Sequence, residues 1–135
     1  MVDSMDQAIG TILEAAEQRG DLDDTFVLFF SDNGGVNNVA SNGELKGAKA
    51  SVYQGGIRVA AAAMWKNGGI VGGKRIRERM GYIDILPTVR SIIGVTDSPK
   101  NPLDGIDVLD AMRGRTKLKD RHWFSYIDQN PDRVE

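Results

Sequence analysis

Thr25-Phe26-Val27-Leu28-Phe29-Phe30-Ser31-Asp32-Asn33-Gly34-Gly35 is a run of strand-forming residues that stops abruptly on a polar, glycine-rich turn. A strand with one wet face alternates apolar and polar residues. An unbroken run predicts a strand buried on both faces, as in α/β sheets covered by helices on either side. In open α/β sheets, ligands gather outside the carboxyl ends of the strands, and Asp32 and Asn33 stand at such an end. A carboxylate and an amide oxygen are hard ligands suited to Ca²⁺ or Mg²⁺. The same residue types favour turns for purely local reasons, so the motif alone leaves both readings open.

Upstream of this run, Val2, Met5, Ile9, Ile12, Leu13 and Ala16 recur at helical spacing, and Gly20 stops the helix. The expected element is a surface helix laid across the sheet. Downstream, residues 33–56 are polar and glycine-rich, a long connection of the kind that is usually functional or disordered. Lys46 and Lys49 lie in it and Arg58 just beyond. Cations beside a metal-bound anion would be useful, although a lysine of this kind can equally be solvated. Arg58 can equally serve as a structural ion pair or an anchor for backbone carbonyls.

Ile57 to Trp65 is expected to form a second buried strand next to the first. Lys66 to Gly73 is a turn region. Lys74 to Arg79 is a short basic stretch, either solvated or a binding site for phosphate or sulfate. Asp84 can cap a helix with Pro87 in its first turn and Leu86, Val89, Ile92 and Ile93 on its buried face, ending at Gly94. Thr96 to Pro102 is a loop and Leu103-Asp104-Gly105 a turn. Asp110 to Met112 gives one helical turn before Gly114, and His122 to Tyr126 a final strand. The charged tail from Asp128 to Glu135 offers no closing element.

The bulk properties narrow the chemistry. The chain has 135 residues and a net charge of -2, with no cysteine and one histidine, His122. Disulfides, thiolate metal sites, cysteine nucleophiles and multi-histidine centres are therefore excluded within it. The charge carries no nucleic-acid footprint. The longest apolar run, Val59 to Trp65, is too short to cross a bilayer.

Several segments, taken in order, resemble the sulfatase family: Ser31 to Gly35, Leu45-Lys46-Gly47-Ala48-Lys49, and Tyr53-Gln54-Gly55-Gly56-Ile57-Arg58-Val59. Asp84-Ile85-Leu86-Pro87-Thr88 and Leu103 to Asp107 follow, and the opening Met1 to Asp6 is similar to the family helix before the Asp-Asn strand. The resemblance covers about Met1 to Gly114 and is looser at His122 to Tyr126. It implies an α/β domain like alkaline phosphatase, with a mainly parallel central sheet flanked by helices. Residues 1–114 then correspond to the carboxy-terminal half of the catalytic domain, and 115–135 to the truncated start of the next subdomain.

The family hydrolyses sulfate esters with a formylglycine nucleophile and a bound Ca²⁺ or Mg²⁺. By this resemblance Asp32 and Asn33 are two metal ligands, and Lys49 is the lysine on the substrate sulfate. Arg58 is the arginine that steadies the loop by bonding within the protein. Gln54 stands where the family usually has glutamate and Ala60 where proline is common. The family's Cys/Ser-x-Pro-x-Arg motif is nowhere in the chain.

The resemblance therefore implies a sulfatase fragment that does not hydrolyse sulfate esters or bind metal tightly alone. It should self-associate or pair with an amino-terminal half. The alternatives are a noncatalytic module descended from a sulfatase, or part of a related phosphoester or phosphonate hydrolase.

Overall fold

The computed structural model describes residues 2–127. Element order is α1 (Val2–Gln18), β1 (Val27–Phe30), α2 (Gln54–Ile57), β2 (Ala61–Met64), α3 (Ile85–Ile92) and α4 (Leu109–Met112), with single 3-10 turns at Leu22–Asp24 and Tyr82–Asp84. The chain divides into two compact units. One runs up to Val27 and resumes at Ala63–Asp120; the other is Leu28–Ala62, resumed at Arg121.

The expected neighbouring strands do pair: β1 and β2 form a two-stranded sheet. Ser31 N–H donates to Ala60 C=O at 3.2 Å, and Asn67 N–H donates to Asp23 C=O at 2.9 Å. One partner number falls as the other rises, so the strands are antiparallel, and no mainly parallel sheet exists among the described residues. β1 is also not buried on both faces, since Phe29 is 39% and Phe30 37% exposed. A two-stranded ribbon has too few neighbours to cover either face. The second strand is shorter than its apolar run. Ile57 closes α2, and the ladder takes only Ala61–Met64.

Helix α1 forms over the expected residues, but no residue of it is fully buried. Val2, Met5 and Ile12 are exposed, and its contacts are with the adjoining 3-10 turn. It does not cover a sheet among the described residues. Its end follows the expected chemistry. Gly20 takes φ +77°, its N–H donates to Glu17 C=O, and Asp21 N–H donates to Ala16 C=O. This doubly bonded stop needs a left-handed residue that glycine adopts without penalty.

The first unit centres on Val108, Leu109, Ala111 and Ile70, all buried, with Asp84 and Thr88 buried among its polar groups. Asp84 does not cap α3 through its side chain. Its carboxylate reaches backwards to accept Gly81 N–H and across the chain to accept Ile106 N–H, each at 3.0 Å. Thr88 Oγ1 accepts Val108 N–H at 3.1 Å. The buried stripe of α3 thus descends from Asp84 to Thr88. Leu86 and Ile93, expected inside, are exposed.

Trp65 and Ile70 bridge antiparallel across the expected 66–73 turn, and Phe26 meets Trp65 edge-on at 6.1 Å. Residues 122–126 form no strand. Phe124 and Tyr126 are almost fully exposed, Arg121 stacks on Trp123, and no ladder partner is present among the described residues. The tail expected to lack a closing element lies wholly outside the described residues.

Candidate functional site

β1 ends at Phe30 and delivers the chain into Ser31-Asp32-Asn33-Gly34-Gly35. Ser31 Oγ donates to Asn33 C=O at 2.9 Å, which folds the turn back on itself. Asn33 Nδ2 donates to Asp32 Oδ2, so the two candidate ligand head groups lie side by side. Successive side chains on a strand would point apart; the turn after the strand brings them together.

The turn is held by backbone packed on backbone. Gly34 N–H donates to Gly56 C=O at 2.9 Å, and Gly55 N–H donates to Lys46 C=O at 2.7 Å. A methyl group built on Gly34 would sit 1.7 Å from Gly55 O. Only glycine lets these two chains approach so closely. The short helix α2 presents Gly55 and Gly56, both buried, to this contact.

Lys49 joins the same cluster. Its N–H donates to Gly35 C=O at 3.0 Å, two residues beyond Asn33. The Lys49 side chain is exposed, and among the described residues it has no hydrogen-bond or ion-pair partner. Ala48 beside it is buried, and Ser51 Oγ donates to Ala48 C=O at 2.8 Å, closing the turn around the lysine. Lys46 lies 4.2 Å from the centre of the Tyr53 ring, a cation–π contact across the loop.

Arg58 follows α2, its N–H bonded to Gln54 C=O at 2.8 Å. With Asn33, Asn42 and Leu45 it lines an open cleft of about 390 Å³. Asp32 and Lys49 do not line that cleft. The guanidinium of Arg58 makes no hydrogen bond or ion pair among the described residues.

The strongest staple of the loop is Asn42, which sequence reasoning missed. Its side-chain oxygen accepts Gly35 N–H at 2.8 Å, and its amide donates to Gly35 C=O at 3.1 Å and Gly47 C=O at 3.2 Å. One side chain thus ties the Asp32-Asn33 turn to the turn that carries Lys49. The available signal was Asn42-Gly43, a dipeptide that favours tight turns.

As a metal centre the donor set is partial. Asp32 and Asn33 supply two hard oxygens where Ca²⁺ takes six or more, and among the described residues no three His, Cys, Asp or Glu side chains gather to hold an ion. Their oxygen chemistry and adjacency fit part of a Ca²⁺ or Mg²⁺ shell.

Residues 1–95 match the family described as Sulfatase, a span that takes in Asp32, Asn33, Lys49 and Arg58. The chain belongs to the sulfatase family. It is 32% identical to human steryl-sulfatase over 94% of its own length and 34% identical to human arylsulfatase A over 96%. It is also 34% identical to N-acetylgalactosamine-6-sulfatase of Canis lupus familiaris over 93%. It covers 23%, 26% and 24% of those three sulfatases respectively, about a quarter of each. Membership accounts for an α/β chain in which a glycine cluster, with few apolar side chains, shapes the polar turn after β1. No helix among the described residues is long and apolar enough to cross a membrane.

Proposed function

We propose that this chain supplies the metal-ligand turn and the sulfate-facing lysine of a sulfuric ester hydrolase, and that the nucleophile and the remaining ligands come from outside its 135 residues. The reading rests on one observation above all. The Lys49 N–H bond to Gly35 tethers a partnerless lysine beside the Asp32-Asn33 turn. Family membership supports the reaction class, and the missing parts follow from a simple check. The four prolines are preceded, two positions back, by Ile85, Asp97, Lys100 and Gln129, so no Cys/Ser-x-Pro-x-Arg motif exists in the sequence.

In this reading Asp32 and Asn33 hold one side of a Ca²⁺ or Mg²⁺ ion, which when bound supplies Lewis acidity and a template for sulfate oxygens. Lys49 orients the sulfate and stabilises negative charge growing on the departing oxygen, an electrostatic contribution fixed before reaction. Arg58 adds positive charge to the rim of the cleft beside Asn33. The exposed Phe29 and Phe30 of β1 become covered when the rest of a sulfatase domain adds strands or helices to the ribbon. That domain would have the mainly parallel sheet of the alkaline phosphatase type.

The test uses a chromogenic aryl sulfate with excess Ca²⁺. The purified chain alone is expected to give no turnover. Mixed with the amino-terminal portion of a sulfatase domain it is expected to turn over, and Lys49→Ala in the mixture to remove that activity. Multiple turnovers by the chain alone would overturn the division of parts. Full activity of the Lys49→Ala mixture would overturn the role of the lysine.

A further inference from the structure

Residues 74–79 and 115–120 are joined side by side within the first unit. Leu118 N–H donates to the Glu78 carboxylate at 2.8 Å, and Arg79 reaches Asp120 at 3.9 Å. A methyl group on Gly114 would lie 3.6 Å from Ile76 Cδ1, so the segments also approach at their other end. These twelve residues hold seven cations and two carboxylates, a charge of +5 in a chain of net charge -2. Both carboxylates are spent on tying the segments together, which leaves the cations facing outwards.

Exposure alternates along the first segment: Arg75, Arg77 and Arg79 are exposed, while Ile76 and Glu78 are half-buried. In the second, Lys117 and Lys119 are exposed on either side of half-buried Leu118. Exposed cations thus recur at alternate positions along two segments that lie side by side. Lys74, Arg75, Arg77, Lys117 and Lys119 have no ion-pair partner among the described residues. Like charges set this close together repel one another, an arrangement that an anionic partner would relieve.

We propose that this double row is a binding ridge for a linear sulfated polysaccharide. Exposed cations repeated along two adjoining segments suit a polymer with repeated anionic groups. The twelve residues contain no aromatic side chain, so nothing in them offers the stacking platform that single-stranded nucleic acid uses. Their apolar members Ile76 and Leu118 are half-buried between the rows, so they lack the exposed apolar face that seats a protein on a lipid surface. The preference for sulfate among anions rests on the proposed hydrolase reading; the existence of a polyanion ridge does not.

The experiment measures binding of a fluorescent, fully sulfated heparin decasaccharide to the 135-residue chain at physiological salt, by anisotropy. Arg77→Ser/Lys117→Ser is expected to weaken binding at least tenfold. Arg19→Ser/Lys100→Ser, which removes the same charge elsewhere, is expected to weaken it less than twofold. Circular dichroism confirms that both doubles keep the wild-type helix signal; should Arg77→Ser/Lys117→Ser lose it, Arg75→Gln/Lys119→Gln replaces that pair. Equal losses in both doubles, or no binding by the wild type, would overturn the ridge. Tighter binding of a 20-nucleotide RNA or of phosphatidylserine vesicles would overturn the sulfated partner. Lys49→Ala is expected to leave this binding unchanged, so failure of the hydrolase reading would be seen separately.

Discussion

Around α3, backbone groups are satisfied by buried side chains: the Asp84 carboxylate takes Gly81 and Ile106 N–H, and Thr88 takes Val108 N–H. In the loop from Asn33 to Gly56, backbone meets backbone directly, through Gly34 on Gly56 and Gly55 on Lys46, with Ala48 the only buried apolar side chain. The first arrangement gains strength from a packed surround of Val108, Leu109 and Ala111. The second gains position. It sets the Lys49 backbone beside the Asp32-Asn33 turn, with Asn42 as the main side-chain staple. A loop with so little apolar burial should open at lower cost than the α3 region, which suits a site completed by other residues.

The contrast makes different demands on substitution. Asp84→Ala would leave two part-buried backbone donors without their acceptor at about 1.5 kcal/mol each, so a loss of about 3 kcal/mol is expected. Urea unfolding followed by circular dichroism measures it; a loss under about 1 kcal/mol would show that water or rearrangement replaces the carboxylate.

Gly34→Ala attacks the other region. Its methyl group would collide with Gly55 O, forcing the two turns apart by about an ångström or more. A misplacement of that size costs roughly 100-fold in rate, to be read as kcat of the chain mixed with an amino-terminal sulfatase portion. Unchanged kcat would break the claim that backbone contact positions the site.

Asn42→Ala sharpens the same claim with a smaller effect. It removes three half-buried hydrogen bonds and is expected to cost about 2 kcal/mol of loop stability, seen as faster amide exchange at Gly35. Asn42→Asp keeps the acceptor for Gly35 N–H and loses both donors, so its Gly35 exchange rate should fall between wild type and Asn42→Ala.

The smallest effect lies in the first unit at Lys66, whose ammonium is raised above the ordinary lysine value of 10.5 by its hydrogen bond to Asp23. A raised folded-state value means that the stabilisation is fully present below 10.5 and is lost as pH climbs through that higher value. Lys66→Met should therefore differ slightly from wild type in melting temperature at neutral pH and not at all above that value. A difference that persists at high pH would assign the effect to packing.

These outcomes also explain how far the sequence could be read. The Thr25 to Phe30 run, the stop at Gly20 and the polar turn after β1 were legible because each is a local preference of adjacent residues. The partnership of β1 with β2 followed from two apolar runs. The face of α3 was misread because its buried stripe begins with Asp84 and Thr88, polar residues that apolar periodicity ignores, while Leu86 and Ile93 are apolar and exposed. The stapling role of Asn42 was missed for another reason. Its partners Gly35 and Gly47 lie seven residues before and five after, and no pattern of spacing links a staple to backbone carbonyls. The glycine-rich turn at Gly34-Gly35 was legible, but the close approach of Gly34 to Gly55 is tertiary. The expected burial of β1 depends on neighbours that the paired ribbon lacks.

The most direct test is a crystal structure of the chain combined with an amino-terminal sulfatase portion, grown with Ca²⁺ and inorganic sulfate. The expected result is a calcium ion bound by an Asp32 carboxylate oxygen and the Asn33 amide oxygen, with Lys49 Nζ donating to a sulfate oxygen. Calcium held without Asp32 and Asn33, or Lys49 Nζ turned away from a bound sulfate, would contradict the account.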